Sequence, residues 1–385
     1  MEHSDPISSQ DLVLSDDQEP KHFGSGWISG VLSVVLGAIG LLAVVCFHYP
    51  QMLTMPELRG LYPVPYIRAL LQLILVSSFL LGVLSIYLRR DRSIGGIGIL
   101  LTLTAAMFGG SRVPIDGELV NGPFLGLDWF LLNLIAFSLI FVPLELLFPH
   151  RPTQPIFRTF WKTDLAYFFV SAIFIQLTSV LTLKPAVLFF EWAVHPGLRA
   201  WVGGQPYLLQ FLEILLVADL AQYWVHRLFH SVPVLWRFHA IHHSAQSMDW
   251  LAGSRIHLVD IAITRSLSYI PIFLLGFSQA PLFAYIIFVS IYATFIHSNF
   301  RIQFGPLRWL LVTPRFHHWH HTSDLSLANK NFAVHLPLLD RLFGTYYFPA
   351  RQWPVSYGIV EGSVPPSGFF AQLIYPFRRR LRGKP

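Results

Sequence analysis

Residues 207–230 read YLLQFLEILLVADLAQYWVHRLFH, an apolar run that passes without a break into two histidines. The stretch to residue 225 is long and apolar enough to cross a bilayer as a helix, despite Glu213 and Asp219. An α-helix turns about 100° per residue, so His226 and His230 stand on one face, one turn apart. Asp219 and Tyr223 precede them at helical spacing, and the four residues form one stripe. A carboxylate inside an apolar helix is costly unless partnered, and orienting a metal-ligating imidazole is an established use for one. Asp219 is therefore expected behind the histidines, with Tyr223 on the same stripe; Glu213 lies off it and is assigned no role.

Working outward, the rest of the chain supports a membrane protein. Of 385 residues 54% are hydrophobic and only 12% charged, too few charges to cover a soluble globule of this length. Spans are expected at 27–48, 66–88, 94–110, 127–148, 164–183 and 207–225. A final block, 258–297, is broken by Pro271 and by the stretch from Gly276 to Pro281 and reads as a membrane hairpin. The predicted fold is all-α, with six transmembrane helices plus a helical hairpin and a His-rich helical cap. Four segments are expected: an acidic, disordered tail (1–26), N-terminal anchor helices (27–126), a catalytic domain (127–350) and a basic C-terminal segment (351–385). Arg89, Arg90 and Arg92, then Arg151, Arg158 and Lys162, then the arginines near the C-terminus all fall on the cytoplasmic side if the N-terminus is inside. That orientation puts the cap at the cytoplasmic face. The acidic residues of the first 26 positions do not form the basic start of a cleaved signal, so the first span is expected to remain as an anchor. The single cysteine, Cys46, excludes disulfides within the chain and thiolate metal sites. The juxtamembrane basic residues suit anionic lipid head groups better than nucleic acid.

Twelve of the 17 histidines fall between 226 and 335, where even scatter would put about five. They come as HRLFH (226–230), HAIHH (239–243) and HHWHH (317–321). Helical spacing collects His239, His242 and His243 within one arc, and likewise His317, His320 and His321; His318 and Trp319 fall outside the latter. A lone histidine is most often a packing residue. Eight in repeated ligand spacing at one membrane face point to metal. Eight nitrogens exceed the four of a tetrahedral zinc, so two metals with about four histidines each fit better, with the element left open by spacing alone.

This pattern resembles the fatty-acid hydroxylase and sterol desaturase superfamily of integral-membrane non-haem oxygenases. The resemblance rests on H-x-x-x-H at 226–230, H-x-x-H-H at 239–243 after only eight residues, and H-x-x-H-H at 317–321. Flanking PLELLFPHRP (143–152), WKTDLAYF (161–168), LWRFHAIHHS (235–244) and DRLFGTYYFP (340–349) extend it over roughly residues 140 to 350. It implies a di-iron centre held by His226, His230, His239, His242, His243, His317, His320 and His321, with His297 in FIHSNF as a further ligand. Asn299 is a candidate to contribute through a water. His257 matches a position usually His in relatives but not counted as a ligand, while Ala333 and His335 depart from the family pattern. The implied reaction uses O₂ and two electrons to hydroxylate or desaturate a lipid of sterol or fatty-acyl type, drawn from the bilayer.

The chain shows no haem domain and no flavin or nicotinamide fingerprint. Electrons are therefore expected from a separate donor of ferredoxin, cytochrome b5 or reductase type. The membrane would be a bacterial inner membrane or the endoplasmic reticulum. A His-rich membrane metal-binding or transport protein is the competing class, but transporters place ligands at the bilayer midplane, usually on repeated halves, and no such repeat is visible. A zinc hydrolase is less favoured still, since neither H-E-x-x-H nor G-x-S-x-G occurs.

Overall fold

The computed structural model describes residues 24–59, 63–114, 124–349, 352–359 and 364–378, without the side chains of 57 and 174–183. Most of the expected acidic tail and part of the basic C-terminal segment lie outside these ranges. The described residues contain no strand, only two isolated bridges, Pro149 to Phe300 and Thr322 to Tyr357. Contacts divide the chain into two units between Phe124 and Leu125.

The first unit is built on α1 (Trp27–His48), α2 (Val64–Leu88) and α3 (Ser93–Met107). Lipid tails are as apolar as leucine, so these helices associate through small residues that let backbones approach. Gly30, Ser33, Gly37 and Gly40 of α1, Ser78, Gly82 and Ser85 of α2, and Gly95, Gly98 and Thr102 of α3 are all buried. Ser33 Oγ donates to Ser78 O at 2.7 Å and Ser78 Oγ returns a bond to Ser33 O at 2.7 Å. A Cβ on Gly98 would lie 2.0 Å from Ser33 Oγ. Gly98→Val is accordingly expected to push α1 and α3 apart and cost about 1–3 kcal/mol, seen as a lowered midpoint in thermal unfolding of the detergent-solubilised protein.

The second unit contains α4 (Leu127–Leu147), α5 (Trp161–Phe190), α6 (Tyr207–Ser231), α7 (Pro233–His239), α8 (Leu258–Leu275), α9 (Gln279–His297), α10 (Pro314–His320) and α11 (Pro337–Leu342). Seven helices among the described residues are long and apolar enough to cross a membrane: α1, α2, the α3 stretch to Arg112, α4, α6, α8 and α9. These are five of the six expected spans and both limbs of the hairpin, whose turn at Gly276 takes a left-handed φ of 71°. The remaining expected span, 164–183, lies inside α5, where the side chains of 174–183 are outside the described set.

The histidine-bearing segments are short. Proline at the first turn of α7 and of α10 presets the backbone for helix without spending an amide, and Thr313 caps α10 by accepting Phe316 N. Box two is not one continuous helix: α7 stops at His239, and His242–Ser244 form a separate 3₁₀ turn.

Candidate metal centre

The structure brings the nine histidines singled out in the sequence together as two groups. His226, His230, His239, His243 and His320 form the first, and His242, His297, His317 and His321 the second. Within each group the donor nitrogens all lie within 4.8 Å of one another. The two groups abut, with the rings of His243 and His321 stacked at 4.5 Å. Boxes two and three each serve both groups, a division that the expected arcs did not show. Adjacent helical positions diverge by about 100°, so His320 turns to one group and His321 to the other, and the 3₁₀ turn separates His242 from His243 in the same sense.

Most of the rings are pinned from behind. His226 Nδ1 donates to Phe332 O (2.8 Å), His242 Nδ1 to Arg255 O (3.2 Å), His297 Nδ1 to Ala293 O (2.6 Å) and His320 Nδ1 to Lys330 O (2.8 Å). His239 Nδ1 donates to the Asp260 carboxylate at 2.7 Å. Each of these five imidazoles spends its N–H on that bond, which leaves Nε2 as a bare lone pair when the ring is neutral. Yet His226 and His239 face each other Nε2 to Nε2 at 3.0 Å, and His242 and His297 do so at 3.2 Å. Two acceptors at that distance have no proton between them and repel. The buried Nε2 atoms of His230, His243 and His320 have no hydrogen-bond partner. Protonation does not relieve the arrangement. Burial, reinforced by neighbouring imidazoles, holds His242, His243, His317 and His321 well below the ordinary histidine range, and burial brings His320 to about 3. A donor set of converging, neutral, unsatisfied nitrogens fits metal cations.

The supporting residues differ from those expected. Asp219 does not touch any of the nine imidazoles through a hydrogen bond. Its buried carboxylate accepts Val334 N (2.9 Å), His335 N (3.0 Å) and Leu336 N (2.7 Å). Asp340 accepts Phe332 N and Ala333 N in the same loop. These two acids thus shape the segment whose Lys330 and Phe332 carbonyls hold His320 and His226. Tyr223 bonds Thr345 Oγ1 at 2.8 Å rather than a histidine. Asn299 spans Arg151, accepting its N at 2.8 Å and donating to its O at 3.2 Å, and is not turned to either group. For Asp219, Tyr223 and Asn299 these partners come from more than 100 residues away in the chain, beyond the reach of a spacing argument. Asp260, the acid that does orient an imidazole, was missed; like Asp219 it is a carboxylate in an apolar helix, and that signal was available.

The other histidines have separate duties. His318 is buried, donates from Nε2 to His297 O (3.2 Å) and accepts from Tyr357 OH at Nδ1 (2.9 Å). His257 caps α8 by accepting Val259 N. His335 is wholly buried, 3.2 Å from Asp219 and stacked on Tyr292.

A buried ion network supports His242. Arg158 Nη2 contacts Asp164 at 2.6 Å and Asp249 at 2.7 Å, and Arg255 also bonds Asp164. Removing one partner strands a charge in a dry interior, which typically costs about 3–5 kcal/mol. Arg255→Leu should lower the unfolding midpoint and loosen the carbonyl that holds His242, measurable as a lower melting temperature together with weaker metal retention.

A family model for fatty acid hydroxylase matches residues 211–345. The chain is 37% identical over 183 residues to an ornithine lipid hydroxylase of Rhizobium tropici, covering 47% of this chain and 54% of that protein. It is 30% identical over 163 residues to the alkylglycerol monooxygenase of Xenopus tropicalis (42% and 34%) and 32% identical over 144 to that of Homo sapiens (37% and 31%). The chain thus spans about half or less of the length of these curated relatives. No solved structure matches it. Residues 211–345, which carry all nine clustered histidines, are thus the part of the chain that is similar to the fatty acid hydroxylase family.

Proposed function

We propose that the protein is a membrane-bound di-iron oxygenase that hydroxylates a chain-bearing lipid using O₂ and externally supplied electrons. The observation that carries this reading is the pair of abutting groups of neutral imidazoles, their unsatisfied nitrogens facing inward. His226, His230, His239, His243 and His320 would hold one metal and His242, His297, His317 and His321 the other. Five imidazoles in the first group exceed the complement of a tetrahedral zinc, and an all-nitrogen set suits iron. Bound iron would supply the oxidant for an unactivated C–H bond, which no side chain provides.

The chain's own contribution is positional. Backbone carbonyls and Asp260 fix ring orientation, and close burial of the second group keeps water from the reacting atoms. Only His226 and His230 are partly exposed among the nine. Beside them stands half-buried Trp236, 5.0 Å from the His230 ring. Partial exposure of these two imidazoles beside an aromatic side chain supports entry of the lipid at the first group. The names of the relatives, ornithine lipid hydroxylase and alkylglycerol monooxygenase, favour a polar-headed acyl or alkyl lipid over a sterol, and hydroxylation over desaturation. The distribution of arginines favours a cytoplasmic metal site.

The test is iron-loaded protein in lipid nanodiscs supplied with reductant, isotope-labelled O₂ and total polar lipid extract. Label in a new lipid hydroxyl, absent without iron, is the expected result. Metal flux across proteoliposomes with no labelled lipid would replace this reading with metal transport.

A further inference from the structure

An oxygenase supplied with electrons from outside needs a place where they enter, and an aromatic path joins the protein surface to the second histidine group. Trp353 is partly exposed and stacks on His150, ring centroids 3.8 Å apart and planes within 13°. Its ring also meets His318 edge-on at 5.1 Å. His318 has one tautomer that satisfies both its contacts, Nε2–H donating to His297 O and Nδ1 accepting from Tyr357. His297 in turn lies 3.0 Å from His317 and 3.2 Å from His242, nitrogen to nitrogen. Every step from Trp353 to the group is a ring contact or a hydrogen bond.

The outer end of this path is cationic. Arg301 is exposed and Arg151 partly so. Arg301 N bonds Phe148 O at 2.8 Å and Arg151 adjoins His150 in the chain, so both residues flank the His150–Trp353 stack; burial and these two charges hold His150 down at about 4. Arg151 also lies over Tyr357 at 4.5 Å. Among the described residues, Asp324 is an exposed acid near this face, in the segment joined to it through Ser323 and Ser356, and it is turned onto Ser326 N and Oγ.

We propose that the face formed by Arg151, Arg301 and Trp353 docks an acidic one-electron carrier protein, and that Trp353, His318 and the His297 carbonyl conduct its electron to the second histidine group. This rests on the oxygenase reading. Two encounters each oxidise one carrier by one electron, and with two protons they complete the balance: lipid C–H, O₂, two electrons and two protons give lipid C–OH and water. Opposite charge speeds and orients such an encounter, and salt weakens it.

The experiment mixes iron-loaded full-length protein anaerobically with reduced acidic [2Fe–2S] ferredoxin as the probe and follows ferredoxin reoxidation. Arg301→Glu should slow the second-order rate at low salt about tenfold or more and flatten its salt dependence. Trp353→Leu should lower the limiting rate at saturating ferredoxin with iron content unchanged, and Trp353→Tyr should recover most of it. Both defects should vanish when dithionite with methyl viologen replaces the carrier. Wild-type rates in both variants would overturn the proposal. So would loss of iron in Trp353→Leu, faster reaction with basic cytochrome c than with ferredoxin, or a slowed rate in Trp236→Phe instead. Wild type that is reduced with dithionite and methyl viologen, then given lipid and O₂, and still forms no hydroxylated lipid would refute the oxygenase reading itself, an outcome separate from failure of the docking face alone.

Discussion

His297→Ala should reduce bound metal from near two ions per chain to near one and abolish lipid hydroxylation. His297 is the link of the second group, its Nε2 lying 3.2 Å from that of His242 and 3.0 Å from that of His317. Without it three donors remain there, whereas the five of the first group are intact. The loss should therefore be selective for one metal. A histidine outside the groups provides the comparison. His257 uses Nδ1 as a cap acceptor on α8, so His257→Asn, which keeps an acceptor there, should retain both ions. Elemental analysis of the two purified variants, with product assays alongside, checks both expectations. Equal metal content in His297→Ala and wild type would remove His297 from the ligand set.

Asp260→Ala should weaken metal retention about 10- to 100-fold. The carboxylate receives the N–H of His239 at 2.7 Å and is itself steadied by Thr264 Oγ1 at 3.1 Å. By accepting the Nδ1–H it fixes the tautomer that presents a lone pair at the opposite nitrogen. Asp260→Asn keeps an acceptor but not the charge, so it should fall between wild type and Asp260→Ala. Asp219→Ala offers a contrast. That carboxylate serves three backbone amides of the loop at 334–336, and its removal should appear first as a loss of thermal stability. Chelator-challenge rates and melting temperatures separate the two acids. If Asp219→Ala loses metal as readily as Asp260→Ala without losing stability, the roles assigned here are reversed.

The sequence made the helices and eight of the nine histidines legible because both are written in local periodicity: long apolar runs for one, i, i+3 and i, i+4 steps for the other. His297, with no histidine at such a step, was implied only by the family resemblance. Division of the histidines between two groups was not legible. It depends on α7 ending at His239, and on His320 and His321 pointing about 100° apart toward different neighbours. The supporting residues were harder still. Asp219 and Asp260 look alike in sequence, each an acid in an apolar helix, and only the folded chain shows that one meets a backbone loop and the other an imidazole. The loop containing Ala333 and His335, whose role was open in the sequence, carries the Phe332 carbonyl that holds His226.

The most direct test of the central claim is the metal content of purified wild-type protein, measured per chain by mass spectrometry after expression with iron supplied. Two abutting groups of five and four neutral imidazoles predict close to two iron ions per chain. A single tightly held zinc, or no retained metal at all, would contradict the account.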